Sequence, residues 1–185
     1  TETRPADGYA LADDITFRLL QKVDENGNNL QEAEVYYLTT KNFLFWTWDD
    51  WKLLDDATVI MRDDTIKVEI SKKDLTTMEE LPGAELTITD KDGKEIDRWV
   101  STDKPHYIEK LPAGDYTLTE VKTPDGYATA EIVPFTVLPT GEVQRFEMLD
   151  DVIKVEISKK DLTTMEELPG AELTITDKDG KEIDR

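Results

Sequence analysis

Cysteine is absent from the 185 residues, so no disulfide framework braces the fold. Histidine occurs once, at His106. With no cysteine to join it, neither a histidine-based metal site nor a Ser-His-Asp arrangement is expected. A glycine-rich phosphate loop is also missing, and no metal or other cofactor is expected. There is no signal peptide and no apolar run long enough to span a bilayer. Basic residues are few beside acidic ones, 22 against 42, which leaves a formal net charge of −20. Such a surface repels nucleic acid and anionic membrane, so partners of those kinds are not expected. Sustained helical periodicity is absent too, which turns attention to strands.

What is present is a repeat. The 33 residues IKVEISKKDLTTMEELPGAELTITDKDGKEIDR occur at Ile66 to Arg98 and again, letter for letter, at Ile153 to Arg185. An offset of 87 (153 − 66) is too long for a solenoid unit and suits a small bead-like domain. The opening TETRPADGYA parallels TEVKTPDGYA from Thr119, and VIMRDDTIKVEI from Val59 parallels FEMLDDVIKVEI from Phe146. The expected organisation is therefore the rear part of one module at 1–64, a complete module at 65–151, and the front of a third at 152–185. This is the pattern of a fragment of a longer array.

Within the complete module, short alternating runs are punctuated by PG, DG, PAG, PDG and PTG. Strands are expected at 66–72, 84–89, 95–100, 107–109, 115–120, 132–138 and 143–150, with DKDG from Asp90 as a tight hairpin. Seven short strands in such a length imply an all-β fold, a sandwich with Greek-key-like connections.

Alternation also singles out three ionisable residues. Ile66, Val68 and Ile70 share a strand face whose next member is Lys72; Tyr116 and Leu118 share a face with Glu120; Phe146 and Met148 share a face with Asp150. Taken singly, each charge could mark where a buried face meets water, with the lysine stem snorkelling outward. Taken together they form a reactive set. A desolvated lysine loses its proton more readily and a desolvated aspartate keeps its own. A neutral amine facing a neutral carboxylic acid can attack it, with a glutamate between them ferrying protons. The product is a side-chain amide, formed once with loss of one water.

The run ISKKD, then ELPGAELTITDKDGK, LPAGDYTLTEVKTPDGYA and an F-x-M-x-D strand resembles the collagen-adhesin B-type (CnaB, SpaA-like) domains of Gram-positive surface proteins and pilins. The resemblance covers the whole of 65–151 and most of both flanks. It implies tandem prealbumin-like, Ig-like β-sandwich modules, one complete and two partial, with an intramolecular isopeptide bond between Lys72 and Asp150 and Glu120 as the catalytic proton shuttle. The flanks carry incomplete equivalents: Glu2 and Asp63 in the first, Lys159 in the third. The implied function is a self-crosslinking stalk or adhesin repeat, not an enzyme acting on external substrates. The implied location is extracellular and cell-wall-anchored through regions missing from this fragment. Neighbouring modules of the same chain are the expected partners, with a host or matrix ligand left open.

The span from Glu2 to Asp63 is 61 residues (63 − 2) against 30 (150 − 120) from Glu120 to Asp150, so the last hairpin of the first module carries an insertion. It holds DENGNN, EVYYL and FLFWTWDDW, with Trp46, Trp48 and Trp51. One reading is a ligand- or glycan-binding patch, since exposed aromatics stack on ligands. The simpler expectation is an extended hairpin whose aromatics pack on their own module or its neighbour. DKDGKE from Asp90 lacks the twelve-residue calcium pattern and reads as a turn, as does LPTGE from Leu138.

Overall fold

The computed structural model describes residues 1–43, 45–56 and 58–185, which divide into two compact units, Thr1–Val152 and Ile153–Arg185. Of the tryptophan-bearing stretch FLFWTWDDW, Leu44 lies outside the described residues. The insertion forms a three-stranded antiparallel sheet of β1 (Phe17–Val23), β2 (Asn29–Phe43) and β3 (Trp46–Leu53) in that order. DENGNN supplies the first turn: the Asp24 carboxylate accepts from the amides of Asn26 and Asn28 at 2.9 and 2.8 Å, and Gly27 takes φ +84°.

Residues 67–150 carry seven strands: β4 (Lys67–Asp74), β5 (Glu85–Asp90), β6 (Glu95–Val100), β7 (His106–Glu109), β8 (Gly114–Lys122), β9 (Val133–Val137) and β10 (Val143–Asp150). All seven lie within two residues of the bounds expected from alternation and turn residues. They form two sheets, ordered β10-β4-β7 and β6-β5-β8-β9. The inward faces supply one core that includes Ile66, Val68, Ile70, Leu86, Ile88, Leu118, Val137 and Met148. On one side the sheet edges are tied by His106 of β7. Its Nε2 lies 2.8 Å from Asp97 Oδ2 and its ring stacks on Trp99 at 4.2 Å, both partners belonging to β6. The first and last strands of this module, β4 and β10, lie side by side and parallel over their whole length.

The second unit repeats the sequence of β4, β5 and β6 but keeps little of their structure. Only β11 (Ile175–Thr176) and β12 (Glu182–Asp184) form, and no strand covers 154–161. Ile66 and Val68 are fully buried, whereas their copies Ile153 and Val155 are 59% and 77% exposed. Local features survive unchanged. Asp161 Oδ1 accepts from the Thr163 and Thr164 amides at 2.7 and 3.0 Å, as Asp74 Oδ1 does from Thr76 and Thr77 at 2.7 and 2.8 Å. Met165 and Met78 both stand at φ 60°. The turns are therefore written in the 33 residues themselves. The strand is not, because its ladder partners are β7 and β10, which the second unit does not contain. Trypsin is accordingly expected to cut after Lys159 and Lys160 well before the same sequence at Lys72 and Lys73, read by peptide mass over a time course. Equal rates at the two copies would contradict the contrast.

Two expectations for the flank at 1–64 need correction. No strand forms over 59–63, and Asp63 is exposed, because the stretch has no ladder partner. Lys159 of the third segment is exposed. The aromatics do not all pack: Trp46 and Trp48 are 74% and 48% exposed, while Trp51 is half-buried. Among the described residues no helix is long and apolar enough to cross a membrane.

Candidate functional site

Strand alternation delivers a lysine to the core. β4 buries every second residue, and Lys72 follows Val68 and Ile70 on the inward face with 2% of its surface exposed. Glu120, 7% exposed, stands on the inward face of β8 in the opposite sheet. Asp150, 1% exposed, ends the inward face of β10, the strand beside β4. Two of the three groups thus come from one sheet and the third reaches across the sandwich. Lys72 Nζ is in direct polar contact with Asp150 Oδ1 and lies 3.1 Å from Glu120 Oε1. Lys73, the neighbouring lysine, points the other way and pairs with Glu147 on the outer face.

The backbone around the site is fixed on both sides. The Leu81 amide donates to Lys72 O at 2.7 Å and the Leu75 amide to Asp150 O at 2.8 Å, so neither strand end is free to fray. Glu120 is oriented through its second oxygen: Oε2 accepts from the Thr123 hydroxyl at 2.8 Å and from the Ala130 amide at 3.0 Å. Thr123 in turn bonds the Thr129 hydroxyl at 2.9 Å.

These surroundings push the two acids apart. Burial alone would raise Glu120, but the Ala130 amide, the Thr123 hydroxyl and the Lys72 ammonium outweigh it and hold the carboxyl below its usual range. Asp150 goes the other way. Burial raises it by more than Lys72 lowers it, and the adjacent Glu120 adds to the rise. Of the two acids, Asp150 is therefore the one that holds a proton more tightly and Glu120 the one that gives it up more readily. Glu120 Oε1 and Asp150 Oδ2 are both shut off from water without a conventional hydrogen-bond partner.

Sequence reasoning missed a second polar pair beside this site. Asp74, the next inward residue after Lys72, accepts a 2.7 Å bond from the Tyr127 hydroxyl, and that bond is the largest cause holding its carboxyl below the usual range. Tyr127 belongs to the PDGY turn, so the bond fastens the loop after β8 to the end of β4. Period-two alternation from Ile70 reaches Asp74 and could have found it. Tyr127, Thr123 and Ala130 lie in a loop and carry no such signal.

The incomplete sets differ. Glu2 repeats the backbone anchor of Glu120, accepting from the Ala12 amide at 2.8 Å, but Pro5 stands where Thr123 does, so the hydroxyl donor is lost. Among the tryptophans, Trp46 pairs with Phe43 and Trp48 with Lys41, which puts both on one face of their sheet. Trp51 faces the other way, with the Arg18 guanidinium 4.5 Å from its ring. The three do not form one patch. Among the described residues no group of three or more His, Cys, Asp or Glu side chains is placed to hold a metal ion.

Residues 66–151 match the family model described as "SpaA: Prealbumin-like fold domain". By that match this stretch is similar to SpaA-type prealbumin-like domains. The matched stretch begins at the core residue before β4 and ends just after Asp150, enclosing the whole three-residue cluster. Among solved structures, the Bacillus anthracis TIE protein is similar at 23% identity with a TM-score of 0.50, over 94% of this chain and 38% of that one. The shaft pilin SpaA from Lactobacillus rhamnosus GG is 17% identical with a TM-score of 0.41, over 74% of this chain and 69% of that one. The pilus-presented adhesin Spy0125 (Cpa) is 38% identical with a TM-score of 0.36, over 40% of this chain and 17% of that one. The chain thus spans well under half the length of the TIE protein and of the adhesin. Among curated proteins none matches at a significant level.

Proposed function

We propose that the chain is a stalk or adhesin shaft of tandem modules, 1–64, 65–151 and 152–185, whose complete module ties itself shut with a Lys72–Asp150 isopeptide bond. The observation that carries this reading is the buried meeting of Lys72 with Asp150 and Glu120 at the ends of two parallel neighbouring strands. Neutral Lys72 Nζ attacks Asp150 Cγ, the N–C bond forms, and Glu120 moves a proton from the nitrogen to the departing oxygen. One C–O bond breaks and one water leaves. No oxidant, metal or cofactor enters the balance.

Force along a tandem array enters a module at its first strand and leaves at its last. Parallel neighbours loaded at opposite ends resist by shear of their ladder, and a covalent tie between Lys72 and Asp150 carries the load past it. The parent protein is expected to be anchored to a cell wall through other regions. Pulling the 65–151 module from its ends should therefore release none of the 78-residue loop between the tied residues. With Lys72→Met the same loop of 78 residues adds about 260 Å of extension. Equal extension in both proteins contradicts the tie.

A second reading has one observation in its favour, the exposure of Trp46 and Trp48 on one sheet face. In that reading the face binds a glycan or a host or matrix ligand and the crosslink only braces the module. Binding lost in Trp46→Ala and Trp48→Ala but kept in Trp51→Ala would support it. A glycan array that gives no signal with the unmodified chain would count against it.

A further inference from the structure

Two segments of like sequence, Asp7-Gly8-Tyr9-Ala10 and Asp125-Gly126-Tyr127-Ala128, make the same contacts in two places. Both are closed turns: the Tyr9 amide donates to Ala6 O at 3.0 Å and the Tyr127 amide to Pro124 O at 3.2 Å. Both glycines are left-handed, at φ +82° and +88°. Tyr9 forms a bridge with Thr65 and the Ala10 amide donates to Asp64 O at 2.8 Å. Tyr127 forms a bridge with Val152 and the Ala128 amide donates to Asp151 O at 2.9 Å. Asp64-Thr65 and Asp151-Val152 are the residues that lead into the two identical copies. Each turn therefore holds the chain where the next copy of the repeat begins.

The first turn goes further and seats itself on the 65–151 module. Gly8 O accepts from the Ile66 amide at 3.0 Å, and the Leu11 amide donates to Pro139 O at 3.1 Å. A Cβ on Gly8 would stand 2.5 Å from Lys110 O and 2.8 Å from Lys110 Cβ, so only glycine permits the approach. Lys110 answers from its side. It takes φ +62°, its amide donates to Ile66 O at 2.8 Å, and its Nζ lies 5.1 Å from the Tyr9 ring centroid. Across the same joint, Lys67 Nζ holds Asp64 at 2.7 Å and reaches Gly141 O at 3.4 Å.

We propose that this is an inter-module clasp: the Asp-Gly-Tyr turn at the rear of one module docks onto the start of β4, the β7–β8 turn and the β9–β10 turn of the module that follows. The partner of that surface is the preceding copy of the repeat in the same chain. The clasp rests on the tandem reading above, but not on the crosslink. Because most of the contacts are main-chain hydrogen bonds, the clasp tolerates sequence drift between modules as long as the glycine stays. Its mechanical effect is to make two neighbours bend as one body.

The test uses the full chain and two matched substitutions. Gly8→Ala and Gly126→Ala both place a Cβ at positive φ, but nothing lies within 4 Å of the Cβ position at Gly126. Amide exchange at Ala10 and Ile66 should rise at least about tenfold in Gly8→Ala and stay unchanged in Gly126→Ala, with core amides such as Leu118 unaffected in both. Should Gly8→Ala fail to fold, Tyr9→Ala is expected to raise exchange at the same two amides. Unchanged exchange at Ala10 and Ile66 in the variant that folds, or an equal rise in Gly126→Ala, overturns the clasp. Intact mass on the same samples reports the crosslink separately, so failure of one proposal is not mistaken for failure of the other.

Discussion

Replacing Lys72 with methionine is expected to lower the unfolding temperature of the 65–151 module by roughly 15–30 °C, measured by calorimetry. Methionine keeps most of the stem that packs beside Ile70 and removes the nitrogen. What is lost is the closure of a 78-residue loop, which by analogy with a disulfide restricts the unfolded chain by about 4 kcal/mol. In a domain this small each kcal/mol moves the midpoint by several degrees, which gives the range stated. If no bond existed in the parent, the substitution would exchange a buried ionic cluster for an apolar side chain, a change that is often neutral or stabilising. A shift within a few degrees of zero, or upward, would therefore count against the tie.

Glu120→Gln is expected to leave the module folded and to slow bond formation by about 10²–10⁴-fold. The amide oxygen of glutamine can still accept from Thr123 and Ala130, so the loop after β8 keeps its anchor. It cannot take up and return a proton. The pH dependence follows from the opposite shifts of the two acids. Asp150, whose folded-state pKa is raised, must be protonated to be attacked, so formation falls as pH rises through that raised value. Glu120, whose folded-state pKa is lowered, must be ionised to accept a proton, so formation falls as pH drops through that lowered value. A refolding time course read by mass should give a bell between the two in the parent protein. A rate in Glu120→Gln equal to that of the parent would remove the glutamate from the mechanism.

Before any bond forms, the same shifts act on stability in opposite senses. The folded state binds the Asp150 proton more tightly than the unfolded chain does, so that contribution is present at low pH and is lost as pH rises from the ordinary aspartate value toward the raised one. Glu120 contributes above its ordinary value, and that contribution is lost as pH falls toward the lowered one.

The inward direction of Lys72, Glu120 and Asp150 was legible because strands have a period of two and each residue ends a run of apolar neighbours. The seven strands between Lys67 and Asp150 were legible for the same reason, helped by the glycine and proline turns. What could not be read from local pattern was whether a strand finds a partner. Residues 154–161 have the sequence of β4 and no strand, because a ladder is a property of two segments and the second unit contains neither of the partners of β4. Val59 to Asp63 fails in the same way. The tryptophans are a different kind of miss: Trp46 and Trp48 differ from Trp51 in parity, so alternation already separated them, but the density of aromatics invited reading them as one patch. Loop donors such as Thr123 and Tyr127 become visible only when β8 and β4 are brought together.

The central claim is a covalent bond, and intact mass tests it most directly. The purified 21.1 kDa chain, shown to be folded, should weigh one water less than its sequence. Lys72→Met should restore the full mass expected for that variant, and digestion of the parent should yield a branched peptide joining β4 to β10. A parent mass equal to the sequence mass, in protein that is folded, would contradict the isopeptide and leave Lys72, Glu120 and Asp150 as a buried ion cluster in an ordinary β-sandwich.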